Sequence, residues 1–240
     1  MIIIRLKFVF NFSAVQLQHG WAWGNNVNLL AAGASYPQYG MTGSGIYAGQ
    51  LGDLVSVMVT EDGERKLYKT KVPKKGFQLH DFPLTNREKP AHNITNLKLL
   101  KDPQIKEYNS LIVNLTEASN NLKRTLCNGD LCCTFELTAS VIDTNFKPKF
   151  TYRIGVYDGS RTYEKDERSD IKVCALYSCL NETVATCGLA LAADNVLFKK
   201  LHIKGEFIKA HKLMIMPSMI DDQLYPLSYD QVEWSKQKKR

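Results

Sequence analysis

The chain has 240 residues, 44% hydrophobic and 23% charged. That length and balance suit one or two globular domains and exclude a stapled mini-protein, a fibrous repeat or a wholly disordered chain. The 31 Lys and Arg against 24 Asp and Glu leave a formal charge of +7. The basic residues gather in two clusters, Lys69, Lys71, Lys74 and Lys75, then Lys236, Lys238, Lys239 and Arg240. Neither sets aromatic or amide readers on a recognisable element, so both read as solvated faces and nucleic acid is not an expected partner.

Residues 1–10 are apolar but interrupted by Arg5 and Lys7. With no small-residue cleavage site after them, they make a poor secretory leader, and a short strand at the start of a truncated domain fits them at least as well. From Ser13, a candidate N-cap, the residues Ala14, Leu17, Trp21, Gly24, Val27 and Ala31 recur at spacings of three and four, which predicts an amphipathic helix. Gly20 and Gly24 each weaken that helix by roughly 1 kcal/mol relative to Ala, so it is expected to lay its small residues closely against a sheet. Residues 40–49 hold four glycines. Their spacing fits neither a phosphate-binding loop nor a dinucleotide fingerprint, and a strand in close backbone contact is the alternative. Residues 54–60 and 65–72 flank Asp62-Gly63, a strong hairpin signal.

Residues 73–106 carry Pro73, Pro83, Pro90 and Pro103 with little periodicity, as in a linker or domain edge, assigned to 81–106. Beyond it, alternating runs at 133–142, 150–157, 171–176 and 201–209 predict a strand-rich unit, a sandwich or twisted sheet. No stretch approaches the ~18–20 apolar residues of a membrane-crossing helix.

All six cysteines, Cys127, Cys132, Cys133, Cys174, Cys179 and Cys187, fall in one stretch with no His among them. Zinc sites commonly pair cysteines with histidines, so disulfides are the better reading, with fifteen pairings open. Asn11, Asn93, Asn114 and Asn181 each open an N-glycosylation triplet, and together with the cysteines they point to a secreted protein. The histidines His19, His80, His92, His202 and His211 show no metal-ligand spacing, and neither metal nor cofactor is expected. His19 reads either as a pocket residue or as a hydrogen-bonded core histidine. The chain has no nucleophile elbow of the G-x-S-x-G type, and a cross-linked sulfur cannot attack.

Several stretches resemble one family. Trp21-Ala22-Trp23-Gly24 running on to Ala32, and Met41-Thr42-Gly43-Ser44-Gly45-Ile46-Tyr47, are similar to the vanin and biotinidase family of carbon–nitrogen hydrolases, in the nitrilase superfamily. The Trp-Ala-Trp-Gly form resembles its insect vanin-like members. Asp130-Leu131-Cys132-Cys133, Tyr157-Asp158-Gly159, the run from Cys174 to Cys179 and Thr186-Cys187-Gly188 resemble, in order, the cysteine framework of the family's accessory domain.

The resemblance implies an α+β chain. Residues 1–80 would be the truncated C-terminal part of a nitrilase-like α/β sandwich, and 107–240 a β-rich, disulfide-stapled vanin C-terminal-type domain. Family members cleave amides such as pantetheine or biocytin with a Glu base, a Lys that stabilises the oxyanion and a Cys nucleophile. In the family all three precede the part matching Trp21, whereas the twenty residues before it here hold neither Cys nor Glu. The expectation is therefore a hydrolase-derived chain, fragment or degenerate relative, with no catalytic residue of its own. His19, Trp21, Tyr36 and Met41 remain as candidate pocket residues, and a small amide is a partner only where the full hydrolase domain is present. A non-catalytic secreted binding module built on the accessory domain is the alternative. The ending Ser235-Lys236-Gln237-Lys238-Lys239-Arg240 is unlike a lipid-anchor signal.

Overall fold

The computed structural model describes residues 14–39, 41–74, 102–162, 168–189, 194–207, 215–221, 224–227 and 231–236. Residues 1–10, Asn11, Ser13, Lys75, His80, Asn93, His92, His211, Lys238, Lys239, Arg240 and the 81–106 stretch up to residue 101 lie outside the described residues. The described residues form two compact units, one of 102–207 with 234–236, the other of 14–74 with 215–233.

In the second of these units, helix α1 (Ala14–Asn25) precedes an antiparallel sheet of β1 (Asn28–Ala31), β2 (Ser44–Ala48) and β3 (Asp53–Val57), in the order β1-β2-β3. The Gly-rich stretch does supply a strand, β2. It returns into β3 through Gly49 and Gly52, whose φ of 55° and 85° lie where a side chain is strained.

Three expectations need correction here. The helix does not bury the stripe through Leu17 and Trp21, which are exposed; it buries Val15, His19, Ala22 and Trp23. Nor do its glycines face a sheet. A Cβ on Gly20 would lie 2.8 Å from the Pro217 carbonyl oxygen, and one on Gly24 2.4 Å from that of Ile215, so they admit an irregular segment of backbone. The Asp62-Gly63 hairpin does not form either. β3 pairs with β2, and residues 58–74 have no regular secondary structure. Lys66, Leu67, Lys69 and Lys71 are all exposed, which leaves that run no apolar face to bury as a strand.

The other unit is a sandwich. β4 (Asn109–Ile112), β7 (Thr151–Thr162) and β8 (Arg168–Cys179) form one antiparallel sheet in the order β4-β7-β8. β5 (Leu122–Asn128), β6 (Leu131–Val141) and β9 (Val196–Glu206) form the other, in the order β5-β6-β9, and a single turn of helix, α2 (Leu115–Ala118), precedes β5. The expected strand-rich unit is present, and β6, β7, β8 and β9 are each longer than the alternating run that predicts them, with offset ends.

Along β6 the residues Leu131, Cys133, Phe135, Leu137 and Ala139 are buried while those between them are partly exposed. This period of two makes one face of the sheet the core wall. It also sends Cys132 and Cys133 to opposite faces. Cys133 pairs inward with Cys174 of the opposing sheet, Cys132 pairs outward with Cys127, and Cys179 pairs with Cys187. The outer face of the β4-β7-β8 sheet is covered by residues 102–108, where Tyr108 stacks on Tyr157 with ring centroids 5.1 Å apart.

Candidate functional site

Residues on either side of β2 and β3 line an open cavity of about 590 Å³. Its walls come from four separated pieces of chain: 32–38 after β1, 42–44 entering β2, Val57 and Val59 at the end of β3, and 63–68 beyond. Close backbone approach shapes it. A Cβ on Gly33 would lie 2.0 Å from the Gly43 carbonyl oxygen, and one on Gly63 2.4 Å from that of Ser35.

Hydroxyl groups fix these pieces. The Glu64 amide donates to Ser35 Oγ at 3.0 Å, the Val59 amide to Thr42 Oγ1 at 2.6 Å and the Gly33 amide to Ser44 Oγ at 3.0 Å. Tyr68 donates its phenol proton to Glu64 Oε1 at 2.7 Å, and the Lys66 ammonium sits 5.4 Å from the centre of the Tyr68 ring. Burial, and then the Glu64 carboxylate, push the Tyr68 phenol up to about 12. Ser, Thr and Tyr hydroxyls beside Ala32, Ala34, Val57 and Val59 suit a small polar ligand with an apolar side.

The four sequence candidates part company. Tyr36 lines the cavity, and its backbone exchanges hydrogen bonds with Met41 at 2.7 and 3.0 Å, so these two are neighbours. His19 is elsewhere, buried with its ring 5.1 Å from that of Trp23 and 6.0 Å from that of Tyr47. Trp21 is on the exposed side of α1. Sequence reasoning does not single out Ser35, Thr42, Glu64 or Tyr68. Thr42 lies within the Met41–Tyr47 motif, and Glu64 and Tyr68 follow Asp62-Gly63, which marks a bend here without a following strand.

No cysteine thiol is free, because all six sulfurs are in disulfides. Among the described residues, no three His, Cys, Asp or Glu side chains converge as metal ligands would, and no helix is long and apolar enough to cross a membrane.

The Vanin C-terminal domain family matches residues 97–240. The chain belongs to the vanin family. Vanin-like protein 3 of Drosophila melanogaster is 39% identical over 235 residues, 93% of this chain and 44% of that protein. Vanin-like protein 1 of the same fly is 33% identical over 94% of this chain and 43% of its own length. Human pantetheinase is 29% identical over 82% of this chain and 37% of its own. The vanin-family chain thus spans less than half the length of these curated relatives. Its three disulfides and its relationship to vanins are consistent with an extracellular location.

Proposed function

We propose that this chain is the C-terminal portion of a secreted, glycosylated amidohydrolase of the pantetheinase type, and that the 240 residues do not hydrolyse amides by themselves. In this reading residues 1–80 belong to the carbon–nitrogen hydrolase domain and residues 107–240 are its β-rich accessory domain. The cavity between Ser35, Tyr36, Thr42 and Tyr68 is one wall of the substrate pocket.

The observation that carries this reading is the state of the sulfurs. An acyl-thioester route needs a cysteine thiolate, and every cysteine of this chain is held in a disulfide. The cavity can bind and orient a ligand, but binding without groups that stabilise the transition state does not accelerate the chemical step. Cavity wall and missing thiolate together fit a chain that supplies positioning to a reaction whose nucleophile is carried elsewhere.

The experiment is an assay of the purified polypeptide with pantetheine, following pantothenate by mass spectrometry. No release above the buffer control is expected. Release that is abolished by an alkylating agent overturns the reading.

A further inference from the structure

We propose that the Cys127–Cys132 disulfide is a reversible exchange site for small thiols, set apart from two disulfides that serve only the fold. The three bonds occupy different surroundings. Cys133, Cys174, Cys179 and Cys187 are fully buried, whereas Cys127 is exposed and Cys132 is half-buried. The cause is the alternation along β6, which turns Cys133 into the sandwich and Cys132 out of it, directly opposite Cys127 on the edge strand β5. Thiol–disulfide exchange requires a thiolate to reach a sulfur, so access selects this bond.

Its structural contribution is also small. The two cysteines are five residues apart, against eight for Cys179 and Cys187 and 41 for Cys133 and Cys174, and a cross-link closing a short loop constrains the unfolded chain least, so burial is what separates the first two bonds. Other contacts hold the same hairpin. Leu126 and Leu131 are buried on either side of the bond. Asn109 Nδ2 donates to the Cys127 carbonyl at 2.7 Å, Asn128 Nδ2 to the Glu107 carbonyl at 3.0 Å, and the Asp130 amide to Asp158 Oδ2 at 3.2 Å. Opening the bond therefore leaves the hairpin in place.

In the exchange, an incoming thiolate attacks Cys127 Sγ, which belongs to the more exposed of the two residues. A sulfur–sulfur bond forms there as the protein's own breaks. The electron pair leaves on Cys132 Sγ, which takes up the proton that the incoming thiol released. A second thiol then cleaves the mixed disulfide, so that two small thiols are oxidised to their disulfide and the cysteine pair is reduced.

The test incubates the native chain, without denaturant, in graded concentrations of reduced glutathione or cysteamine, followed by alkylation and peptide mass spectrometry. The expected products carry the small thiol on Cys127 and the alkyl group on Cys132, at a thiol concentration on the order of tenfold below that which opens either other pair. Opening of Cys133–Cys174 or Cys179–Cys187 at the same or lower concentration overturns the proposal, as does a Cys127–Cys132 bond that yields only in denaturant. The double variant C127S/C132S is expected to keep the native circular dichroism spectrum and to form no adduct; an adduct on it, or loss of the fold, is equally fatal.

Discussion

The Arg161 guanidinium of β7 is hydrogen-bonded to the Asp102 carboxylate, with the two side chains only 4% and 3% exposed. Asp102 Oδ2 also accepts from the Tyr108 phenol at 2.8 Å, and Oδ1 from the Gln104 amide at 2.9 Å. Burial and the adjacent carboxylate hold the Tyr108 phenol well above its ordinary pKa. A charge so enclosed depends on its partner. Asp102→Ala is expected to cost about 3–5 kcal/mol in urea unfolding because it removes the buried carboxylate that the guanidinium faces, whereas replacing both residues with Leu and Met costs less than the single change. A single-variant loss under about 1 kcal/mol contradicts this account.

Gly205 of β9 lies opposite Cys133 in the strand register, and a Cβ there would come within 2.7 Å of Cys174 Sγ and 2.6 Å of the Phe207 ring. The ring can swing away, but the sulfur is tethered. Gly205→Ala should therefore destabilise by about 1–3 kcal/mol, as overpacking does. The same substitution in a C133A/C174A background should cost less, since the obstructing sulfur is gone. Equal costs in the two backgrounds, measured by thermal unfolding, would exclude the disulfide as the obstacle.

Six phenols, Tyr47, Tyr68, Tyr108, Tyr157, Tyr177 and Tyr225, are raised above their ordinary pKa, with burial the largest cause in each. Tyr68 and Tyr225 reach about 12. Below the unfolded pKa of ~10 both states keep these protons and stability does not depend on them. As pH rises from about 10 toward 12 the unfolded chain loses them first, so stability falls across that window. Urea unfolding at successive pH values checks the slope, and Tyr225→Phe should make it shallower. A stability that stays level from pH 10 to 12 would refute the coupling.

The sandwich was more legible in the residues than the site. Cys132 and Cys133 are adjacent in a run that alternates apolar and polar, so once the run is a strand they must point to opposite faces. Helix α1 was less legible because Ala14, Val15, Leu17, Trp21, Ala22 and Trp23 surround it with apolar side chains, and the buried side is decided by what packs there: Tyr47, whose hydroxyl lies 3.4 Å from the Val15 carbonyl, and the backbone at 215–217. The cavity was hidden for a different reason. Its walls are hydroxyls and glycine backbone from four pieces of chain, and neither hydrophobic period nor motif spacing records close approach between pieces far apart in sequence.

Asn114 caps a helical turn and also opens an N-glycosylation triplet, and the two can be tested separately. Its Oδ1 caps α2, accepting from the Thr116 and Glu117 amides at 2.9 and 3.2 Å, and that leaves Nδ2, the atom a glycan would occupy, outside the cap. Asn181 is exposed as well, with Oδ1 accepting from the Thr183 amide at 2.8 Å. Expressed through a secretory pathway, the chain should carry sugar at both, seen as a mass loss on enzymatic deglycosylation. Thr116→Ala removes the acceptor pattern at Asn114 but keeps its cap, so it should lose one glycan with little change in stability. Asn114→Ala removes the cap too and should cost a further 0.5–2 kcal/mol or so. Equal stability of the two deglycosylated variants would rule out the capping role, and an unchanged mass after deglycosylation of the parent would rule out the modification.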